Sequence, residues 1–236
     1  MKTAPKDRPK KRPELLETVA RFEPALLEQV TSPVTDLIAE VAATSATLGN
    51  ALHPKSAANL ADLVRVMNTY YSNLIEGHNT RPRDIERALA GHFDDDRERR
   101  NLQLEAAAHV RVQRQVDAMA ADGRLPEPAS TDFLRWLHRE FYRKAPPAML
   151  IVKSSKRSIK MVPREWRSRP ERDVTVGRHI PPSSGRVDAF MQAFAERYRF
   201  DRMGKATQIV AMAAAHHRWP FMFSPGSWAV PCLPTR

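Results

Sequence analysis

The chain has a single cysteine, Cys232, among its 236 residues, so no disulfide can form within it. That agrees with a reducing compartment, and the place of Cys232 in a Pro-rich tail marks it as incidental. No apolar run reaches the roughly 18 residues that cross a bilayer, and the N-terminus is polar and basic where a signal peptide would be apolar. These absences predict a cytoplasmic protein with no membrane partner. Residues 219–236 lack any acidic side chain and any helical period.

What is present is an ordinary hydrophobic share of 42% in a chain long enough to bury a core. The net charge of +11 is unevenly spread. Residues 1–13 hold six basic and one acidic side chain, residues 153–178 hold nine and three, and these two excesses account for the whole charge. The first segment reads as a basic disordered arm, with attraction to nucleic acid as the alternative use of its charge. The remainder is balanced, as in a helical body.

Period and punctuation divide that body. Glu14 to Val30 predicts a helix with Leu15, Leu16, Val19, Phe22, Leu26 and Leu27 inward, bent or split by Pro24. Ser32-Pro33 starts a second helix, with Ser32 as N-cap, that runs to about Leu48. A third runs from about Ser56 to Glu76, and a short one from Thr80–Pro82 through Leu89 is closed by Gly91. Asp94-Asp95-Asp96 reads as the acidic start of a long helix to about Met119 and not as a metal site. Thr131 to Arg143 is a further helix in which Trp136 and His138 serve packing. From Ala145 to Pro182 the helical period stops. There Asp173 to Gly177 alternates like a strand, and Ile159 to Val162 would be its partner in a small hairpin. Arg186 to Phe200 and Lys205 to Arg218 are again helical. The fold class predicted is mainly α with one small β-hairpin.

The helix from Ser56 to Glu76 organises the rest. Leu60, Leu63, Val64, Met67, Tyr71, Leu74 and Ile75 recur at three- and four-residue spacing and predict a buried apolar stripe over about five turns. Ser72 and Glu76, four apart, neighbour each other beside that stripe, and Gly77 stops the helix. The run Ser72-Asn73-Leu74-Ile75-Glu76-Gly77 resembles the inhibitory-helix signature of Fic-domain proteins. The flanks Met67-Asn68-Thr69-Tyr70-Tyr71 and Arg81-Pro82-Arg83-Asp84-Ile85-Glu86-Arg87-Ala88-Leu89 carry the same likeness, which extends over residues 60–218. The resemblance implies a regulatory role for Ser72, Glu76 and Gly77: Glu76, held by Ser72, would face an arginine of the catalytic loop in the place of the ATP γ-phosphate. It also implies that Val174, Thr175, Val176, Gly177 and His179 form a flap that docks a target polypeptide by strand addition.

In that family the last helix leads into a loop of the form HPFx(D/E)GNGRxxR. Its histidine is the general base, its glycines admit phosphate, its acidic residue holds Mg²⁺, and its arginines bind the nucleotide. This sequence has Trp-Pro-Phe-Met-Phe-Ser-Pro-Gly from Trp219 onward instead. Read one base out of register, the codons from Phe221 to Val230 can supply His, Phe, Gly and Arg at the spacing of the loop, which suggests a frameshift near residue 218. The expected organisation is therefore a basic arm at 1–13, a helical region with the inhibitory helix at 14–130, the first part of a Fic-like domain at 131–218, incomplete at its C-terminal end, and an aberrant tail at 219–236. The activity implied is AMP transfer from ATP to a Ser, Thr or Tyr hydroxyl of a target protein. ATP and Mg²⁺ are the implied cofactors, not held productively here, with no catalytic residue and no metal ligand in the chain. The rival expectation is a basic helical module that binds nucleic acid or a protein partner.

Overall fold

The computed structural model describes residues 17–27, 29–75, 77–153, 158–173 and 180–222. It is mainly helical. In order come α1 (Ser32–Ala51), α2 (Pro54–Ile75), α3 (Pro82–Leu89), α4 (Arg97–Ala121), α5 (Thr131–Tyr142), β1 (Ile151–Lys153), β2 (Ser158–Lys160), α6 (Val187–Arg197) and α7 (Lys205–Met222). The local chemistry explains most of the boundaries. Pro33 occupies the first turn of α1, where its missing N–H is not needed, and the cap position is Thr31, one residue before the serine expected. The Asp96 carboxylate accepts the Arg99 N–H at 2.9 Å to start α4, and Ser130 Oγ accepts the Phe133 N–H at 3.3 Å to start α5. Asp94 folds back onto the Asp96 N–H at 2.9 Å, so the three aspartates shape the entry to α4.

Two clusters hold the molecule. In the larger, Phe190, Met191, Phe194 and Tyr198 of the α6 region pack with Trp166, Leu134, Ala129, Ala211 and Ala25. The segment 17–27 is bound onto this core by long-range hydrogen bonds. Tyr198 Oη donates to the Ala25 carbonyl at 2.7 Å, Arg197 Nε to Glu23 Oε1 at 2.7 Å, and Ser183 Oγ to Glu17 Oε2 at 2.5 Å. In the smaller cluster, Val66 of α2, Ile85 of α3, and Ala106 and Val110 of α4 meet, with Tyr70 packed against them.

Three expectations need correction. Residues 17–27 do not form a long helix: a single 3-10 turn, Val19–Phe22, ends before Pro24, and Glu23 Oε2 accepts the Ala25 N–H at 3.3 Å in place of a continuing ladder. Residues 174–177, expected to pair with residues 159–162, lie outside the described residues. Strand β2 pairs antiparallel with β1 (Ile151↔Lys160, Val152↔Ile159, Lys153↔Ser158), a local hairpin with little chain to close. Helix α7 does not stop at Arg218 but continues to Met222, through Pro220, into the tail read as aberrant.

The third correction concerns α2. Its stripe is not buried: Leu63 is 53% exposed, and Leu60, Val64, Tyr71, Leu74 and Ile75 are exposed with it. The buried residues are Val66, Thr69, Ser72 and Asn73, close to the opposite side of the helix. The partners of α2 explain why. Its inward side meets α4 through Arg65 Nε on Asp117 Oδ2 at 2.6 Å, through Asp62 Oδ1 shared by Arg65 and Arg114 at 2.8 Å each, and through Gln113 Nε2 donating to Thr69 Oγ1 at 3.4 Å. The side of α2 that turns inward is mixed: this polar seam runs beside the contact of Val66 and Tyr70 with α3 and α4.

Candidate functional site

The end of α2 is built by its own backbone. Gly77 lies at φ +82, where a left-handed residue lets the chain reverse. The Gly77 N–H donates to the Leu74 carbonyl at 3.1 Å and the His78 N–H to the Asn73 carbonyl at 2.8 Å, the paired bonds of a Schellman closure. Helices α3 and α4 close in the same way at Gly91 and Gly123. The closure fixes the direction in which residues 78–81 leave the helix.

Ser72 sits on the buried side of that terminus at 5% exposure, with Asn73 at 2% and Thr69 at 0% one turn back. The sequence expected Ser72 beside a buried stripe; it lies instead within the polar face that packs inward. Glu76 falls outside the described residues, and so do the flap residues Val174, Thr175, Val176, Gly177 and His179. Of the expected site residues, the structure therefore describes Ser72 and Gly77.

Other groups that matter here went unremarked in the sequence. Thr80, just beyond the Schellman turn, is 5% exposed, and its Oγ1 has no hydrogen-bond partner among the described residues. Arg81 and Arg83 at the start of α3 and Arg87 in its last turn line a cavity of about 640 Å³ together with Arg99 from α4. The signal was available: Arg83 and Arg87 stand four apart on one helix. His109 of α4 was also passed over. It lies edge-on to Phe141 with centroids 6.4 Å apart, its Nδ1 has no partner among the described residues, and burial pulls its pKa down to about 4.

His138 is structural, as expected: it is 3% exposed and its Nδ1 accepts the Arg164 N–H at 2.8 Å. Trp136 stacks on Phe133 at 5.6 Å. Among the described residues no three His, Cys, Asp or Glu side chains converge as a metal site would need. No described helix is long and apolar enough to cross a membrane. Compared with protein-family models, with curated proteins and with solved structures, the chain matches none.

Proposed function

We propose that this chain is the regulatory helical part of a Fic-type protein adenylyltransferase and does not itself transfer AMP. The observation that carries this reading is the run Ser72 to Gly77 at the end of α2, with the flanking residues that share the likeness. Three features support it. The helix stops at Gly77 in a fixed reversal, Ser72 is buried one turn before position 76, and the body is helical with one short hairpin.

The chemistry of transfer has no residues here to perform it. The 236 residues contain no HPFx(D/E)GNGR loop, so the general base, the Gly-Asn-Gly backbone that cradles phosphate and the acidic Mg²⁺ ligand have no counterparts. The residues present do not fit ATP and Mg²⁺ as that family holds them, and no step through either is assigned to this chain. Under this reading Glu76 retains a regulatory identity with no catalytic arginine to oppose.

The test is a transfer assay with ATP labelled on its α-phosphate, run with the parent chain and with Glu76→Gly, a change that would release inhibition in an intact relative. Neither should label itself or a protein mixture above background. Label transferred by either chain would show that a catalytic centre exists and overturn the reading. A companion check is to sequence the gene past the codon for Ala213 in all frames. A frame that continues into Gly-Asn-Gly-Arg supports the proposal, and the absence of one favours the rival reading of a basic binding module.

A further inference from the structure

The loop leaving α2 runs directly into the cavity of about 640 Å³ between residues 79–84, α3 and the first turn of α4. Four guanidinium groups line it, those of Arg81, Arg83, Arg87 and Arg99, against the carboxylates of Asp84 and Asp94. Asp94 is already engaged: Oδ1 accepts the Asp96 N–H at 2.9 Å, and Oδ2 lies 3.8 Å from Arg99 Nη1. Among the described residues Arg81, Arg83 and Arg87 have no carboxylate partner, so three positive charges converge on one cavity with Asp84 as their nearest counterweight.

The start of α3 adds to the attraction for an anion. Arg81 holds the N-cap position of that helix without any side-chain cap bond, so the positive end of the helix adds to the field of the arginines. Thr80 lines the same cavity, but its Oγ1 is enclosed by the protein and is not presented to a ligand. The lining also limits what the ligand can be. Among the described residues Leu102 is its one apolar member and no aromatic ring contributes, so they offer a nucleobase no platform on which to stack. Planar, forked guanidinium groups suit phosphoryl oxygens, which they bind in pairs.

We infer that this cavity is a binding site for the phosphoryl groups of a small ligand of the polyphosphate or phosphorylated-metabolite class, recognised through Arg81, Arg83 and Arg87, with no contribution from a base. Ser72 is not among the lining residues, and the assignment stands or falls independently of the adenylyltransferase reading. Because residues 78–81 both close α2 and enter the cavity, an anion bound there would also hold the loop that follows the signature.

The test is calorimetric titration of the full chain with pyrophosphate at fixed ionic strength. Saturable one-site binding is expected. The double variant Arg81→Ala, Arg87→Ala should weaken it by about tenfold or more, the loss of charge-assisted hydrogen bonds, with an unchanged unfolding temperature. Arg169→Ala, an exposed guanidinium outside the cavity, should leave it unchanged. Absence of binding by the parent chain, or an equal loss in Arg169→Ala, would overturn the site as one of diffuse charge attraction. ADP binding no tighter than pyrophosphate fits recognition of phosphate alone, whereas ADP binding more than about tenfold tighter would reveal a base subsite and overturn the assignment.

Discussion

Helices α6 and α2 carry the same kind of apolar pattern and meet opposite fates. On α6, Val187, Phe190, Met191 and Phe194 all turn inward, joined by Tyr198 just beyond the helix end. On α2, the stripe from Leu60 to Ile75 turns out and the polar Thr69, Ser72 and Asn73 turn in. The difference lies in the neighbours. Helix α6 is surrounded by α5, α7 and the segment 17–27, each offering apolar side chains, while α2 has α3 and α4 against one side and engages α4 through ion pairs and a Thr–Gln bond. A repeating pattern states which residues share a face; the surroundings decide whether that face is covered.

The contrast is broken most directly by emptying the better-packed side. Phe194→Ala removes a ring that packs 4.8 Å from Tyr198 in the centre of the larger cluster. It should destabilise the protein by about 3–5 kcal/mol, whereas Ile85→Val in the smaller cluster should cost about 0.5–1.5 kcal/mol. Urea unfolding of the two variants measures both. Equal losses would mean that the two clusters are equally dense and that the comparison is mistaken.

Acid tests the join between the regions, because His109 lies on α4 against Phe141 of α5. Its folded pKa is lowered from 6.5 to about 4 by burial, so it is neutral in the folded chain and becomes charged on unfolding below 6.5. The unfolded state then binds the extra proton, and stability is full above pH 6.5 and falls as the pH drops from 6.5 toward 4. The loss from this one group reaches at most about 3 kcal/mol. His109→Leu should flatten that part of the stability profile, and a variant as steep as the parent would place the acid sensitivity elsewhere.

The helical frame was largely legible in the sequence because its signals are local. Asp96, Ser130, Pro33 and the glycines at 77, 91 and 123 act within a few residues of where they stand, and the observed ends of α2 to α5 fall within two residues of those they mark. Gly77→Ala probes such a signal. A Cβ there would meet no atom within 4 Å, so its cost is conformational alone and should be about 1 kcal/mol at φ +82. What the sequence concealed depends on distant partners. The hairpin of β1 and β2, the binding of Glu17 and Glu23 to residues near 183 and 197, and the inward turn of Thr69 and Asn73 all rest on residues that no local period brings together. The candidate site was legible as a motif at Ser72 and Gly77, while the arginine cavity beside it required α3 and α4 to be placed together before its charge could be seen to converge.

The smallest expected effect is the sharpest test of the contrast. If the stripe of α2 were buried, as its period alone suggests, Leu63→Gln would remove a core side chain and leave a polar group in its place, at a cost of about 2–5 kcal/mol. With Leu63 at 53% exposure, the same change substitutes one good helix former for another on an open face. The unfolding free energy should then move by no more than about 0.5 kcal/mol, and the protein should aggregate less at high concentration because an exposed apolar row has been interrupted. A loss above about 2 kcal/mol would show that something covers this face in solution, which would make α2 resemble α6 after all.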